Sequence, residues 1–160
     1  MNMFAPTAGV ALEITRVFDA PPERVFSLWS NPEHVKRWWH PNGFATAAFE
    51  MDFREGGRYR YCIRRGTIDS WAHGVYREIS APDRLVFTFR WDSGDALHDA
   101  DTLVTVTFKA QGDKTLLTFR QEPFASLERR DAHAIGWGQV LDSLAELIAT
   151  GVHKPASAEM

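Results

Sequence analysis

"HAIGWGQVLDSLAELIA", residues 133–149, carries the one long helical period in the chain. Trp137, Leu141, Leu144 and Ile148 recur at intervals of three and four, with Val140 and Leu147 beside them. That spacing predicts an amphipathic helix starting at Ser126 or Glu128 and running to Ala149, with Gly151 where a C-terminal cap would stand. Between Phe44 and Glu122 the period is two instead. "ATAAFEM" (45–51), "RYRYCIRR" (58–65), "TIDSWAHGVYREI" (67–79) and "LVFTFRW" (85–91) read as strands, and so do "TLVTVTFKA" (102–110) and "TLLTFRQE" (115–122). Short, regular spacing between them predicts an antiparallel sheet rather than alternating strands and helices. A coiled sheet with one apolar face needs a cover, and only one long helix is available. A helix about 10 Å across cannot fill a broad concavity, so a leftover cavity lined by aromatic rings is the expected consequence.

Upstream of the meander, "VALEITRVF" (10–18) predicts a first strand with Leu12, Ile14 and Val17 inward. Pro21 and Pro22 precede a helical spacing in Val25, Phe26 and Trp29, as proline in a first turn allows. Asn31-Pro32 ends that helix and caps a second, expected over Glu33 to about Trp38. Val35 stands three residues before Trp38 and four before Trp39, so both rings flank one apolar stripe. The alternatives for this pair are core packing of both, or one ring in the core and the other at a cavity entrance.

The composition sets limits on function. A chain of 160 residues fits one domain, and at this size folding buries roughly 70% of the surface the unfolded chain exposes. The expected domain spans residues 10–150, with residues 1–9 and 151–160 as flexible tails. A net charge of −3 argues against a nucleic-acid partner, which needs a cationic face. The uncharged opening, Met1 to Leu12, has no basic flank and is too short to span a bilayer. No membrane insertion is expected. A single cysteine, Cys62, fits a reducing compartment, and the expected location is cytoplasmic. Oligomeric state, a homodimer included, is left open.

Motif searches narrow the chemistry. Six histidines show no His-x-x-x-His or Cys-x-x-Cys spacing, the acidic loop "DSGDALHDAD" (92–101) is no calcium loop, and no phosphate-binding or nucleophile-elbow motif is present. No metal, cofactor or catalytic residue is assigned, although His73, His133, Glu50 or Glu122 could move protons if they shared a cavity. The candidate ligand-binding residues are aromatic or polar groups expected on the inner surface. In "RYRYCIRR" the arginines Arg58, Arg60 and Arg64 share one face and should meet solvent and neighbouring carboxylates. Tyr59 and Tyr61 then point inward and offer hydroxyls to a cavity. A symmetric loop from Ser80 to Arg84 would set Val75 opposite Phe89 and His73 opposite Trp91 on one face, and a one-residue shift would reverse it. His133, four residues before Trp137, is either a rim histidine bonded to a carbonyl or water, or a donor that orients a ligand. Gly136 and Gly138 inside the helix either permit close approach to the sheet or leave room for a ligand.

Four stretches, in this order, carry a resemblance: "VFDAPPERVFSLWSNPEHVKRWWHPNGF", "FREGGRYRY", "GVYREISAPDRLVFTF" and "GWGQVLDSLAELI". They resemble the single-domain relatives of the activator of heat-shock protein 90 ATPase, within the superfamily of START lipid-transfer domains, polyketide cyclases and birch-pollen-type allergens. The likeness runs from about Val10 to Ala149. It implies an α+β helix-grip fold: a seven-stranded antiparallel sheet wrapped around a long C-terminal helix, with two short helices after strand 1. It also marks His40 as a departure, since relatives usually carry glycine there. The co-chaperone proper has a further N-terminal domain with a chaperone-contacting motif, so activation of the chaperone is not expected of this chain. The reading that results is a module binding a small hydrophobic or aromatic molecule between sheet and helix. Its candidate contacts are Trp38, Trp39, His40, Tyr59, Tyr61, His73, Phe89, Trp91, His133, Trp137 and Leu141. The alternatives are an enzyme of cyclase or hydrolase type using the same cavity, and a co-chaperone-like interaction module in stress response.

Overall fold

The alternating stretches form a seven-stranded antiparallel sheet in the computed structural model, which describes residues 10–92 and 101–151. The two expected tails, Gly151 excepted, and residues 93–100 of the acidic loop lie outside the described residues. In chain order the elements are β1 (Leu12–Phe18), α1 (Pro22–Ser27), α2 (Pro32–Val35), β2 (Ala45–Met51), β3 (Arg58–Arg65), β4 (Ile68–Ser80), β5 (Arg84–Trp91), β6 (Thr102–Gln111), β7 (Lys114–Glu122) and α3 (Leu127–Glu146). A π-helical turn, Leu147–Gly151, follows α3. The sheet order is β1-β7-β6-β5-β4-β3-β2. Strands β1 and β2 therefore sit at opposite edges, and the segment between them, with α1 and α2, must cross one face.

Local chemistry sets the helix starts. Pro22 and Pro32 occupy first-turn positions, where a missing N–H leaves no hydrogen bond unmade. The Asn31 side chain accepts from the Glu33 N–H at 2.8 Å, and the Ser126 hydroxyl accepts from the Arg129 N–H at 3.1 Å. Helix α2 closes at Val35, short of the expected Trp38, and residues 36–38 continue as turns. The stripe on α3 is as the periodicity predicts: Trp137, Val140, Leu141, Leu144 and Ile148 are buried.

Two inward assignments are corrected. Val17 is 55% exposed, because strict alternation from Leu12 brings Ile14, Arg16 and the buried Phe18 to the covered side of β1. Arg16 reaches Asp142 of α3 there, at 3.5 Å. His73 is the second. The symmetric register does hold beside the turn, where Ser80 faces Arg84, Ile79 faces Leu85 and Glu78 faces Val86. An irregularity between Tyr76 and Glu78 then shifts the ladder by one residue, so Ala72 faces Trp91 and His73 faces Arg90. Every side chain beyond that bulge changes face. His73 consequently lies on the outer surface, with its Nδ1 2.6 Å from the Asp92 carboxylate, which also accepts from Arg60 at 2.9 Å.

The outer face of β3 is cationic and paired, as expected. Arg60 also lies over the Trp71 ring at 4.1 Å, and Arg64 binds Asp69 at 2.6 Å. Cys62 is buried within that outer layer.

Candidate functional site

The adjacent tryptophans go different ways. Trp38 is fully buried and donates its indole N–H to the Leu28 carbonyl at 3.0 Å, tying the turn after α2 to the end of α1. Its ring meets Trp29 edge-on at 4.7 Å. Trp39 turns towards the sheet and α3, with Phe49, Tyr61 and Trp137 between 5.4 and 5.6 Å away, centre to centre. One ring belongs to the core and the other to a cavity wall.

That cavity has a volume of about 320 Å³ and lies between the β3–β5 end of the sheet and the first half of α3. Trp39, Tyr61, Trp91, His133 and Trp137, five of the candidate contacts, line it. Pro41, Phe44, Ile63, Ser70, Ala132, Gly136 and Val140 complete the wall. No Asp, Glu, Lys or Arg is among the lining residues. Arg65 approaches one lining ring, its guanidinium carbon 5.8 Å from the Phe44 centroid.

The remaining candidates stand elsewhere. Trp38 and Leu141 are core, both fully buried. Phe89 packs against Trp91 and Trp137 without reaching the cavity surface. Tyr59 donates to the Thr88 carbonyl at 2.6 Å, so its hydroxyl is spent within the sheet. His40 is half-buried between two lining residues, Trp39 and Pro41, and does not itself line the cavity. His73 is outside, for the reason given above. The residues missed by sequence reasoning are mostly small or lie in the turn after the tryptophans. Gly136, as a glycine inside a helix, and Val140, beside the apolar stripe, did carry a signal.

Three polar networks hold the walls. His133 lies at the rim with Nδ1 2.9 Å from the Arg129 carbonyl, the first of its alternatives, and its Nε2 accepts from the Trp91 indole N–H at 3.1 Å. That pair of bonds assigns the ring proton to Nδ1. Trp137 donates to the fully buried Gln121 at 2.8 Å, and Gln121 donates in turn to Thr102 at 2.8 Å, which fixes the Trp137 ring against the sheet. The third network is incomplete. The Trp39 indole N–H is buried without a hydrogen-bond partner, yet it approaches the Tyr61 hydroxyl closely enough to favour the ionised phenol. Burial outweighs it and pushes the Tyr61 hydroxyl well above the ordinary phenol range, so Tyr61 stays protonated.

Gly136 resolves the question its position raised. An added Cβ would meet nothing within 4 Å, so the helix is not held close to the sheet there. At Gly138 a Cβ would come within 3.4 Å of the Arg16 guanidinium. Among the described residues no group of three or more His, Cys, Asp or Glu could hold a metal ion. His34, the other histidine beside the tryptophans, is 3.2 Å from the Ser27 carbonyl. No helix among the described residues is long and apolar enough to cross a membrane.

Seven antiparallel strands around one long helix, two short helices after the first strand and an aromatic cavity beneath the covering helix define a helix-grip domain, a fold commonly used to bind ligands. The chain belongs to the family described as activator of Hsp90 ATPase homolog 1-like proteins, whose model matches residues 19–149. Solved structures agree. Protein CV1439 from Chromobacterium violaceum is 28% identical, with a TM-score of 0.80 over 89% of this chain and 97% of its own. The AHSA1 protein SPO3351 from Silicibacter pomeroyi is 23% identical, with a TM-score of 0.77 over 88% of this chain and 98% of its own, and shows the fold alone. No curated protein matches the chain.

Proposed function

We propose that this protein binds a small hydrophobic or aromatic molecule in the cavity between the sheet and α3, without transforming it. The observation that carries the reading is the cavity itself: about 320 Å³, within the range of small-molecule sites, walled by five aromatic side chains and by no carboxylate or cation. Rings fixed by hydrogen bonds to Gln121 and His133 offer a preformed surface, which lowers the ordering cost of binding. Proton-transfer chemistry finds less support. Of the four groups that could have served it, only His133 lines the cavity, and both of its ring nitrogens are engaged by protein. The expected setting is the cytoplasm, in keeping with a single buried cysteine.

Gly136→Leu tests the reading. The new side chain projects into open space at a lining position, so it fills the cavity rather than colliding with the sheet. Replacing glycine in a helix interior by leucine also stabilises the helix by up to about 1 kcal/mol. The expected result is a protein at least as resistant to urea as the wild type whose uptake of the neutral dye phenylnaphthylamine falls about tenfold or more, the cost of displacing one well-buried ring face. Unchanged uptake in a folded variant would sink the cavity reading.

A further inference from the structure

We infer that the ligand of this cavity is an uncharged, flat molecule carrying an oxygen acceptor, read by the hydroxyls of Tyr61 and Ser70. The inference rests on the cavity being a binding site and adds the chemistry of its occupant. In β3 and β4, Tyr61 faces Ala72 and Ile63 faces Ser70, which makes Tyr61 and Ser70 diagonal neighbours on the inner surface. Such neighbours stand roughly 7–8 Å apart, a spacing that a two-ring molecule spans. Both line the cavity, and neither hydroxyl has an acceptor for its proton among the described residues.

Three other N–H groups of the wall are already committed. The Trp91 N–H is given to His133, the His133 Nδ1 proton to the Arg129 carbonyl, and the Trp137 N–H to Gln121. The Tyr61 hydroxyl differs from these. The side chain is 2% exposed and lines the cavity, and its hydroxyl proton has no acceptor among the described residues. A donor that faces the cavity without a protein acceptor is available to a ligand carbonyl or ether oxygen.

The same wall selects against charge. A carboxylate placed among Trp39, Tyr61, Ile63, Trp137 and Val140 would lose its water with no cation lining the site to pair it. Ring faces of Trp39 and Trp137 favour a flat occupant, through offset or edge contacts.

Displacement of bound phenylnaphthylamine by three probes of similar shape tests this: acetylnaphthalene, ethylnaphthalene and naphthoate, against the wild type, Tyr61→Phe and Ser70→Ala. For the wild type the ketone should displace the dye at least as well as the hydrocarbon, and naphthoate should be about tenfold weaker. Tyr61→Phe should weaken the ketone about fivefold and leave the hydrocarbon within about twofold, the signature of one lost hydrogen bond. Ser70→Ala should give a smaller loss of the same kind, and it carries the test if the tyrosine variant folds poorly. Ketone affinity unchanged in both variants, or naphthoate binding tighter than the ketone, would overturn the inference while dye uptake keeps the cavity reading alive. No dye uptake by the wild type would defeat the cavity reading itself.

Discussion

Trp38→Ala should cost about 3–5 kcal/mol of stability, read as a large drop in the urea midpoint at unchanged slope. The ring is fully buried and sits edge-on to Trp29 and tilted against Trp39, at 4.7 and 5.2 Å. Removing it leaves a void the size of an indole between two short helices and the sheet. Short helices of six and four residues cannot hold themselves in water, so α1 and α2 depend on this contact for their order. The lost N–H bond adds to the damage, because the Leu28 carbonyl then has no indole donor. Trp38→Phe separates the two contributions: it keeps a ring while losing the hydrogen bond, and should cost clearly less. A loss below about 1.5 kcal/mol for the alanine variant would mean the site collapses around the void, and that the crossing segment is held by something other than Trp38.

This prediction bears on what the sequence could tell. The element order was legible because each period is a direct imprint of burial: Trp137, Leu141, Leu144 and Ile148 report one covered helix face, and Tyr59 and Tyr61 one covered strand face. Which of two neighbouring tryptophans meets the core and which the cavity was not legible. That depends on the backbone turning at residues 36–38 instead of continuing as helix, and turns leave no period. The β4–β5 register shows the same limit more sharply. Pairing deduced from the turn holds for three residue pairs, then fails where the ladder slips between Tyr76 and Glu78, and that failure alone moves His73 from the cavity to the outer surface. Small lining residues such as Ser70 and Ala132 were invisible for another reason. They have no size or charge to mark them, and only the opposing rings give them a role.

The committed hydrogen bonds also explain why an apolar cavity can persist. Trp91 and Trp137 each give an N–H to a protein partner, His133 and Gln121 respectively, so neither ring needs the cavity for its polar atom. Both rings line the cavity. Collapse would require breaking those bonds or moving α3, whose capped start and buried stripe hold it on the sheet.

Gly74→Ala should be the other severe substitution, costing about 3 kcal/mol or more, the upper part of the range for overpacking a fixed backbone. Gly74 is an inward position of β4, opposite Tyr59 of β3. An added Cβ would lie 1.9 Å from the Thr88 carbonyl oxygen, and 2.6 and 2.7 Å from the Tyr59 ring and hydroxyl. The Tyr59 side chain lies across this glycine to reach the Thr88 carbonyl, using the space a side chain would fill. A methyl group there must push β5 away or expel Tyr59, and either move breaks the 2.6 Å hydrogen bond between them. A glycine in a strand interior does signal close backbone approach, so the sequence carried this hint although it named no partner. Combining substitutions identifies which clash dominates. If the Thr88 carbonyl sets the limit, Gly74→Ala remains costly in a Tyr59→Ala background, because the backbone oxygen stays in place. Full rescue by Tyr59→Ala would assign the cost to the phenol ring instead. A single variant within about 1 kcal/mol of the wild type would refute the close approach altogether, since ordinary surface substitutions fall within ±0.5 kcal/mol and this one is predicted to stand far outside them.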